Sequence, residues 1–244
     1  MKRGKKNSDQ RGQTVDIKIL YEDEHILVCV KPVGIATQTA KLAAQDMVSL
    51  IKNYLVQKGF PRNPYLGIVH RLDQPVSGIL VFAKTKEAAA GLSRQLKDEA
   101  AGKEYLALCL GRLPRQEGEF VHYLKKDKAA GMAVVTKQED KEGKQAVLSY
   151  HVEREEENST LVRIRLKTGR FHQIRAQFLA AGYPLLGDGR YKTAESEGES
   201  CRRNIRSVAL CAVSLSFDYP IADKKRPVPE RMNFTLDKED LPAW

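Results

Sequence analysis

The segment HRLDQPVSGILVFAK, residues 70–84, contains the strongest structural signal in the chain. Pro75 and Gly78 interrupt any helix and are typical of a tight loop, whereas the four apolar residues after Gly78 are typical of a buried strand. We therefore expect Arg71 and Asp73 on a rigid loop at the start of a strand. Charged residues on such a loop are candidates for a functional site, although a turn aspartate beside a solvated arginine has the same pattern.

The composition limits the class of protein and the kind of partner. The 244 residues are 42% hydrophobic and 30% charged, which is typical of a globular protein large enough to bury a core. The formal net charge of +10 favours a polyanionic partner, either nucleic acid or an anionic membrane surface. No apolar run is long enough to span a bilayer, and the basic residues 1–12 lack the apolar stretch of a secretory signal. We expect residues 1–12 to form a disordered basic tail.

The four cysteines argue against a disulfide framework and against a zinc site. Cys29 and Cys109 lie within apolar runs, so we expect buried thiols. Cys201 and Cys211 have no His or Cys neighbours at metal-ligand spacing. The pattern indicates a reducing, cytoplasmic environment with no disulfide and no metal.

The sequence pattern favours strands over helices. Helical spacing and capping signals predict helices at 47–58, 85–98 and 172–181. Apolar runs predict strands at 17–21, 26–30, 79–82, 103–111, 145–152, 161–167, 208–217 and 233–236. Two shorter apolar pieces lie within 112–145, and 192–206 is predicted to be a polar loop with a basic end. Because many of these strands follow one another as hairpins, the predicted class is α+β around a mixed, largely antiparallel sheet.

One predicted strand carries a ladder of positive charge. In 161–167, apolar residues alternate with Arg163, Arg165 and Lys167, so the three basic side chains point to the same face of the sheet. Such a face is either a solvated outer surface or a binding site for phosphate groups. The alternation alone leaves both interpretations open.

Three fragments, taken together and in this order, resemble the RluA-type family of RNA pseudouridine synthases. They are HRLD at 70–73, KEY at 103–105 and TGRFHQIR at 168–175. An early KPVG at 31–34 and the Ser-Gly pair at 77–78 also fit the pattern of that family. The resemblance extends over residues 16–236, which is nearly the whole chain.

The resemblance implies an isomerase that acts on RNA and needs no metal and no cofactor. The C1′–N1 bond of a uridine is broken, the base rotates, and C5 is joined to C1′. The implied architecture is the pseudouridine synthase catalytic fold, a bisected, largely antiparallel sheet flanked by helices and loops. We expect a single domain over 13–244, with no extra N-terminal RNA-binding module. The expected substrate is structured RNA, with ribosomal RNA favoured over transfer RNA, and the expected state is a monomer with no membrane partner.

The resemblance assigns the chemistry to few residues. Asp73 is the carboxylate that faces the sugar, either as a nucleophile at C1′ or as a base at C2′. Arg175 is the cation that keeps this carboxylate ionised. Tyr105 is the aromatic side chain that holds the excised base, and its phenol is a candidate acceptor of the C5 proton. Without the motifs, Tyr105 also fits a core residue and Arg175 a solvated helix residue.

The resemblance also assigns residues to substrate and RNA binding. Arg71 fills the space that the flipped uridine leaves, and Leu210 packs beneath the uracil. Arg170 and His172 lie at the substrate, but we expect His172, like His70, to orient a loop by hydrogen bonding rather than to move a proton. The residues expected to contact RNA phosphates are Arg163, Arg165, Lys167, Arg170, Arg202, Arg203 and Arg206.

Two positions depart from the family pattern. Val76 stands where the family usually has Thr, so a hydroxyl that braces the loop is missing. Cys211, in the late Leu-Cys-Ala segment, stands where His is usual, and no role is transferred to this position.

Two other functions are consistent with parts of the sequence. A catalytically silent RNA-binding relative would keep the fold and the charge but lose the aspartate or its arginine partner, and this chain has both. A glycoside or nucleoside hydrolase usually requires two carboxylates across the bond that it breaks. Only one carboxylate lies in these motifs, and release of free uracil would favour the hydrolase.

Overall fold

The computed structural model describes residues 17–40, 44–97, 100–221 and 230–244, so the expected basic tail at 1–12 lies outside the described residues. Within these ranges the strands are β1 (Ile19–Glu22), β2 (Ile26–Lys31), β3 (Gly67–Ile68), β4 (Ser77–Ala83), β5 (Gly102–Leu110), β6 (Glu117–Asp127), β7 (Met132–Thr136), β8 (Lys144–Glu155), β9 (Ser159–Leu166), β10 (Leu210–Asp218) and β11 (Arg231–Thr235). The helices are α1 (Met47–Gln57), α2 (Lys86–Lys97), α3 (Gln173–Ala180) and α4 (Ala194–Arg202), and a 3-10 turn covers Lys238–Asp240.

The strands form one mixed sheet. Its main order is β1-β2-β4-β10-β5-β9-β8-β6-β7, while β3 pairs with the end of β4 and β11 pairs with β10. Every pairing is antiparallel except the one between β4 and β10. This arrangement confirms the predicted α+β class and the mixed, largely antiparallel sheet. The two apolar pieces predicted within 112–145 are β6 and β7, and they form a hairpin.

The parallel pairing of β4 and β10 joins the two halves of the sheet at the start of both strands. Ser77 lies opposite Cys211, and Gly78 lies opposite Ala212. Gly78 has a φ of +119°, and a Cβ at this position would lie 2.2 Å from the carbonyl oxygen of Ala212. Only glycine fits such an approach. The Ser-Gly pair therefore brings the loop before β4 directly beside the start of β10.

Helices cover the two faces of the sheet unequally. One face carries Tyr105 and Leu210 and packs against the buried side chains of α1 and α3. The other face carries Cys211 and packs against α2 through Ala88 and Leu92. Because successive residues of a strand point to opposite faces, Leu210 and Cys211 are separated by the sheet. The candidate catalytic residues therefore lie on the face covered by α1 and α3.

The predicted helices are confirmed, but the predicted polar loop at 192–206 contains a helix. Helix α4 has no continuous apolar stripe, which is why its periodicity does not reveal it. Its start is fixed by a capping box in which the side chains of Thr193 and Ser196 each accept a hydrogen bond from the other's backbone N–H. Ser200 is buried and accepts a hydrogen bond from the backbone N–H of Gly187 at 2.8 Å. Polar contacts rather than apolar burial therefore hold this helix.

Cys29, Cys109 and Cys211 are buried free thiols, and Cys201 is an exposed one. The predicted burial of Cys29 and Cys109 is therefore confirmed. Among the described residues, no group of three or more His, Cys, Asp and Glu side chains is arranged to hold a metal ion. None of the helices in the described ranges is long and apolar enough to cross a membrane.

Candidate active site

The loop that carries Asp73 is braced by a hydroxyl from another part of the chain. The Thr37 side chain is buried, and its Oγ1 donates to the carbonyl of Leu72 at 3.0 Å and accepts from the N–H of Leu72 at 3.2 Å. The N–H of Val76 donates to the carbonyl of Asp73 at 3.0 Å, while the Val76 side chain is buried in the apolar core. Thr37 therefore supplies a hydroxyl brace, and the valine at 76 does not leave the loop unsupported.

A buried cation lies beneath the same loop. The Lys31 side chain is fully buried, and its Nζ donates to the carbonyls of Pro32, Ile35 and Gln74 at 2.9, 2.6 and 3.0 Å. Burial lowers the pKa of Lys31 to about 8, against the opposing influence of the Asp73 charge. The Lys-Pro-x-Gly segment is thus clamped to the Asp73 loop.

Asp73 lies beside Arg175, as the sequence predicts. The Nη1 of Arg175 donates to Oδ2 of Asp73 at 3.0 Å, although the two residues are separated by 102 positions in the chain. The Arg175 side chain is 4% exposed and that of Asp73 is 24% exposed, so the carboxylate faces outward and the guanidinium lies behind it. This geometry presents a charged carboxylate at the protein surface, with its cation buried.

A second carboxylate, which the sequence analysis did not single out, holds the guanidinium in place. Asp188 accepts from Nε and Nη2 of Arg175 at 2.6 and 2.7 Å, a bidentate contact made by a fully buried carboxylate. Burial by itself would lower the pKa of Arg175, but the hydrogen bonds and charge of Asp188, followed by those of Asp73, raise it above its ordinary value. Arg175 is therefore a fixed cation with one N–H group aimed at Asp73. The only local signal for Asp188 is its position between two glycines.

His172 connects the start of α3 to the carboxylate. It has a φ of +51°, a left-handed conformation that is unusual for a residue other than glycine. Its Nδ1 lies 2.9 Å from the hydroxyl of Tyr191, and its Nε2 lies 3.5 Å from Oδ2 of Asp73. The Tyr191 hydroxyl in turn accepts a hydrogen bond from the N–H of Ala133. Burial lowers the pKa of His172 below its ordinary value. A neutral ring that accepts the Tyr191 proton at Nδ1 presents its Nε2–H to Asp73.

Tyr105 and Leu210 lie on the same face of the sheet. Tyr105 of β5 pairs with Ala212 of β10, and Leu210 lies two positions before Ala212. Both belong to a buried apolar cluster that also contains Leu72 and Ile174, the neighbours in sequence of Asp73 and Arg175. Burial, followed by the negative charge of Asp73, raises the pKa of Tyr105 well above its usual range. A neutral phenol ring and an isobutyl side chain therefore form an apolar surface near the carboxylate.

The match with a known protein family covers the residues that carry these motifs. A family model described as RNA pseudouridylate synthase matches residues 25–180. The chain belongs to this family. It is 33% identical over 223 residues to the ribosomal large subunit pseudouridine synthase D of Zymomonas mobilis, a match that covers 87% of this chain and 68% of that protein. It is 34% identical over 204 residues to the dual-specificity RNA pseudouridine synthase RluA of Yersinia pestis, with 83% and 95% of the two chains covered.

Solved structures agree with the fold. The human RNA pseudouridylate synthase domain containing 1 superposes with a TM-score of 0.74 at 20% identity, covering 95% of this chain and 87% of that one. The human domain containing 4 superposes with a TM-score of 0.71 at 21% identity, covering 92% and 88%. The predicted family and the predicted pseudouridine synthase fold are thus confirmed. The protein is an RNA pseudouridine synthase, an isomerase.

The remaining predicted substrate residues of the synthase, Arg71 and Arg170, are both exposed. Arg71 is exposed, and its guanidinium makes no hydrogen bond or ion pair with any residue that the structure describes. Arg170 is exposed, and its Nε donates to the carbonyl of Gln145 at 2.8 Å. The buried Gln173 orders this loop, since its Oε1 accepts from the N–H of Arg170 at 2.9 Å and from the hydroxyl of Thr168 at 2.8 Å.

The basic ladder at 163–167, in β9 and directly after it, is paired with carboxylates. Arg163 lies 2.5 Å from Glu153, Arg165 lies 2.7 Å from Glu104, and Lys167 contacts Glu119. The two other predicted phosphate contacts on α4 and at its end, Arg202 and Arg203, both bind Glu199, at 2.5 and 2.6 Å. The structure thus shows that these predicted phosphate contacts already have anionic partners within the protein. Their contact with RNA stays a prediction.

The cysteine at 211 lies on the far side of the sheet from Tyr105. Its thiol is buried in the apolar cluster that α2 covers, and burial raises its pKa despite a hydrogen bond with Ser77. The departure at this position therefore lies on the face of the sheet opposite to that of Tyr105 and Leu210.

His70 orients the loop through its ring, as predicted. Its Nε2 accepts from the backbone N–H of Val81 at 3.1 Å, which fastens the HRLD segment to β4. Burial, followed by the charge of Lys103, lowers the pKa of His70 to about 3. The neutral form of His70 is therefore the one that fits the folded synthase.

This pKa predicts a specific acid sensitivity. In the unfolded chain the pKa of a histidine is about 6.5, so the unfolded state takes up the proton first as the pH falls. The contribution of His70 to stability is complete above pH 6.5 and decreases toward pH 3, by up to about 1.4 kcal/mol per pH unit. His70→Gln keeps an acceptor for Val81 but does not titrate. Urea unfolding at pH 5 and 6.5 should show that the parent loses about 1–2 kcal/mol more than this variant.

The matched control is His151→Gln, because His151 is an exposed histidine whose Nδ1 contacts only Glu117 in the described residues. This control should follow the pH dependence of the parent. If the free energies of unfolding of the parent and His70→Gln decrease in parallel, His70 is not the group responsible.

Proposed function

We propose that this synthase converts specific uridines of structured ribosomal RNA to pseudouridine, with Asp73 as the group that reacts at the ribose. The observation that carries the proposal is the outward-facing Asp73 carboxylate held at 3.0 Å by the buried guanidinium of Arg175. Ribosomal RNA is favoured because relatives from Zymomonas mobilis and Nitrosomonas europaea are ribosomal large subunit pseudouridine synthases. Transfer RNA is the alternative substrate.

The proposed role of each site residue follows from its charge and its surroundings. Asp73 attacks C1′ or removes the proton from C2′, and either step requires the ionised carboxylate. Arg175 offers that carboxylate a fixed positive charge and an N–H donor at 3.0 Å while RNA excludes water. Since the pKa of Tyr105 is raised, its phenol is a poor base in the resting enzyme. We therefore assign Tyr105, with Leu210 beneath the uracil, to holding the base during its rotation. The C5 proton leaves after C5 has joined C1′, to a water molecule or to the Asp73 carboxylate that this step frees.

RNA phosphates are proposed to bind the exposed cations around this site. Arg170 binds them without losing a carboxylate partner, whereas Arg163, Arg165, Lys167, Arg202 and Arg203 must exchange one anion for another. We expect these paired residues to contribute less affinity per residue, while the affinity as a whole falls with salt. In this proposal the catalytic domain covers 13–244 and acts as a cytoplasmic monomer without a metal ion.

Arg71 is proposed to enter the stack when the target uridine leaves it. Flipping a base out of a folded RNA costs a few kcal/mol, because the base must be unstacked and unpaired. A side chain that fills the gap lowers this cost. Arg71→Ala should therefore reduce kcat/KM on a folded RNA by about tenfold or more and on a short unpaired RNA by much less. The measurement is the initial rate of pseudouridine formation on a hairpin and on its unpaired counterpart.

Arg62→Ala is the matched control, since Arg62 is also exposed and makes no hydrogen bond or ion pair with any residue that the structure describes. It should leave both rates near those of the parent. An equal loss on the hairpin and on the unpaired RNA in Arg71→Ala would remove Arg71 from base flipping.

The test of the proposed function is a transcript-wide map of pseudouridine in cells with and without the gene. Chemical labelling of large-subunit ribosomal RNA should lose one or a few signals in the deletion strain and regain them when the parent protein, but not Asp73→Asn, is expressed. Loss of signals in transfer RNA alone would replace the proposed substrate. No lost signal in any RNA would overturn the proposal, and free uracil released by the purified protein would favour a hydrolase.

A further inference from the structure

An exposed aromatic ring continues outward from the catalytic carboxylate. Phe171 is 42% exposed, and its ring is stacked on that of His172 with 3.7 Å between the ring centroids and an angle of 22°. His172 in turn lies 3.5 Å from Asp73. Phe171 therefore lies one ring beyond the residue that contacts the carboxylate. In the sequence motif this position is the variable residue between Arg170 and His172, so the family resemblance assigns it no role.

One cation lies over this ring, and two others are close to it in sequence or near its stacking partner His172. The Nζ of Lys126, near the end of β6, lies 4.7 Å above the centroid of the Phe171 ring. Arg190 donates to the carbonyl of Gly131 at 2.9 Å, in the turn between β6 and β7. In the part of the chain that the structure describes, Lys126, Arg170 and Arg190 have no carboxylate partner, unlike the paired cations of β9 and α4. An exposed ring among unneutralised cations suits a ligand that is both aromatic and anionic, and an RNA strand has both properties.

We propose that Phe171 is a stacking platform for the nucleobase adjacent to the target uridine, with Lys126 as its movable cover. This inference rests on the proposed role of Asp73, because that role defines which nucleotide is the target. When the base stacks on Phe171, the ammonium group of Lys126 leaves the ring and binds the adjacent phosphate. The exchange is favourable because stacking of a base on an aromatic ring is stronger than a cation–π contact at an exposed site. Every base has a π face, so the platform holds the strand with little sequence preference.

A binding experiment separates this platform from catalysis. The probe is a single-stranded RNA of about nine nucleotides with a central uridine and 2-aminopurine as its neighbour, titrated with Asp73→Asn protein so that no reaction occurs. Stacking on Phe171 should quench the 2-aminopurine fluorescence. The quenching should be lost in Phe171→Leu, which keeps an apolar side chain without a ring, and retained in Phe171→Trp.

The control is Phe60→Leu, because Phe60 is a similarly exposed phenylalanine, 39% accessible, with a lysine ammonium, that of Lys84, 4.6 Å above its ring. Because Lys84 directly follows the last residue of β4, its contact with Phe60 places this ring at the end of β4 that is opposite to Asp73. Quenching in Phe60→Leu should equal that of the parent. Equal quenching in Phe171→Leu and the parent, or no quenching with any protein, would overturn the proposal.

Steady-state kinetics with the Asp73-containing proteins provide the second readout. Phe171→Leu should raise KM for the RNA by about tenfold and leave kcat within about twofold, with recovery in Phe171→Trp. A loss of kcat without a change in KM would instead assign Phe171 to supporting His172, and the platform would be wrong. If Phe171 determines quenching but no protein forms pseudouridine, the proposed function fails and only the RNA contact remains. If pseudouridine forms and Phe171→Leu behaves as the parent, the platform alone fails.

Discussion

Asp73→Asn should abolish pseudouridine formation and leave the folded protein and its affinity for RNA nearly unchanged. Asparagine has the size of aspartate but no charge, so it neither attacks C1′ nor takes a proton from C2′. We expect kcat to fall by about 10⁴-fold or more, because no other group substitutes for the carboxylate. The fold should persist because the side chain of Asp73 is partly exposed, at 24%, and Arg175 keeps its bidentate contact with Asp188.

The measurements are single-turnover formation of pseudouridine, the Kd for the RNA and the thermal unfolding midpoint. Asp218→Asn is the control, since Asp218 also forms an ion pair with an arginine, Arg231, at 3.2 Å, but at the other end of β10. This control should stay within about twofold of the parent in activity, as expected for an exposed ion pair. Activity of Asp73→Asn comparable to that of the parent would remove Asp73 from the reaction.

Arg175→Ala should have the second-largest effect, on stability as well as on activity. The substitution leaves the fully buried carboxylate of Asp188 without its charge partner and Asp73 without its hydrogen bond. Breaking a buried ion pair by removing one partner costs about 3–5 kcal/mol. We expect a loss of this size in urea unfolding, together with loss of pseudouridine formation.

A double variant separates the structural part from the catalytic part. Arg175→Met with Asp188→Asn removes both buried charges, while the asparagine retains an oxygen for the backbone N–H groups of Arg190 and Tyr191, which donate to Oδ1 of Asp188. Most of the lost stability should return, because an uncharged pair has no uncompensated charge. Activity should not return, since Asp73 still lacks its cation. Activity in the double variant, or full stability in Arg175→Ala, would contradict the proposed arrangement.

The local elements of the site follow directly from the sequence. Pro75 and Gly78 predict the loop that carries Asp73, and the apolar residues after Gly78 predict β4, which runs from Ser77 to Ala83. The spacing in 172–181 predicts α3, which places Arg175 on a buried helix. These predictions succeed because turn residues and apolar periodicity act over a few neighbouring positions.

Helix α4 and the basic ladder show where local pattern fails. The helix is held by a Thr-Ser capping box and by the hydrogen bond between Ser200 and Gly187, neither of which produces an apolar stripe. The alternation predicts correctly that the cations of β9 share a face, since Arg163 and Arg165 both contact Glu104, and Lys167 follows directly after the strand. It does not reveal that Glu104 and Glu119, on other strands, lie beside them. Register with neighbouring strands decides such pairs, and register is not encoded within a single strand.

The family, the α+β class and the identities of the aspartate, tyrosine and arginine can be predicted without a structure, because each motif is a short run of residues. The residues that hold them in place become visible only in the folded molecule: Thr37 behind Leu72, Lys31 beneath the loop, and Asp188 behind Arg175. These supports come from segments distant in the chain, and each is a common residue type in an ordinary local context. Their function arises from burial and from hydrogen-bond distance, which exist only once the chain has folded.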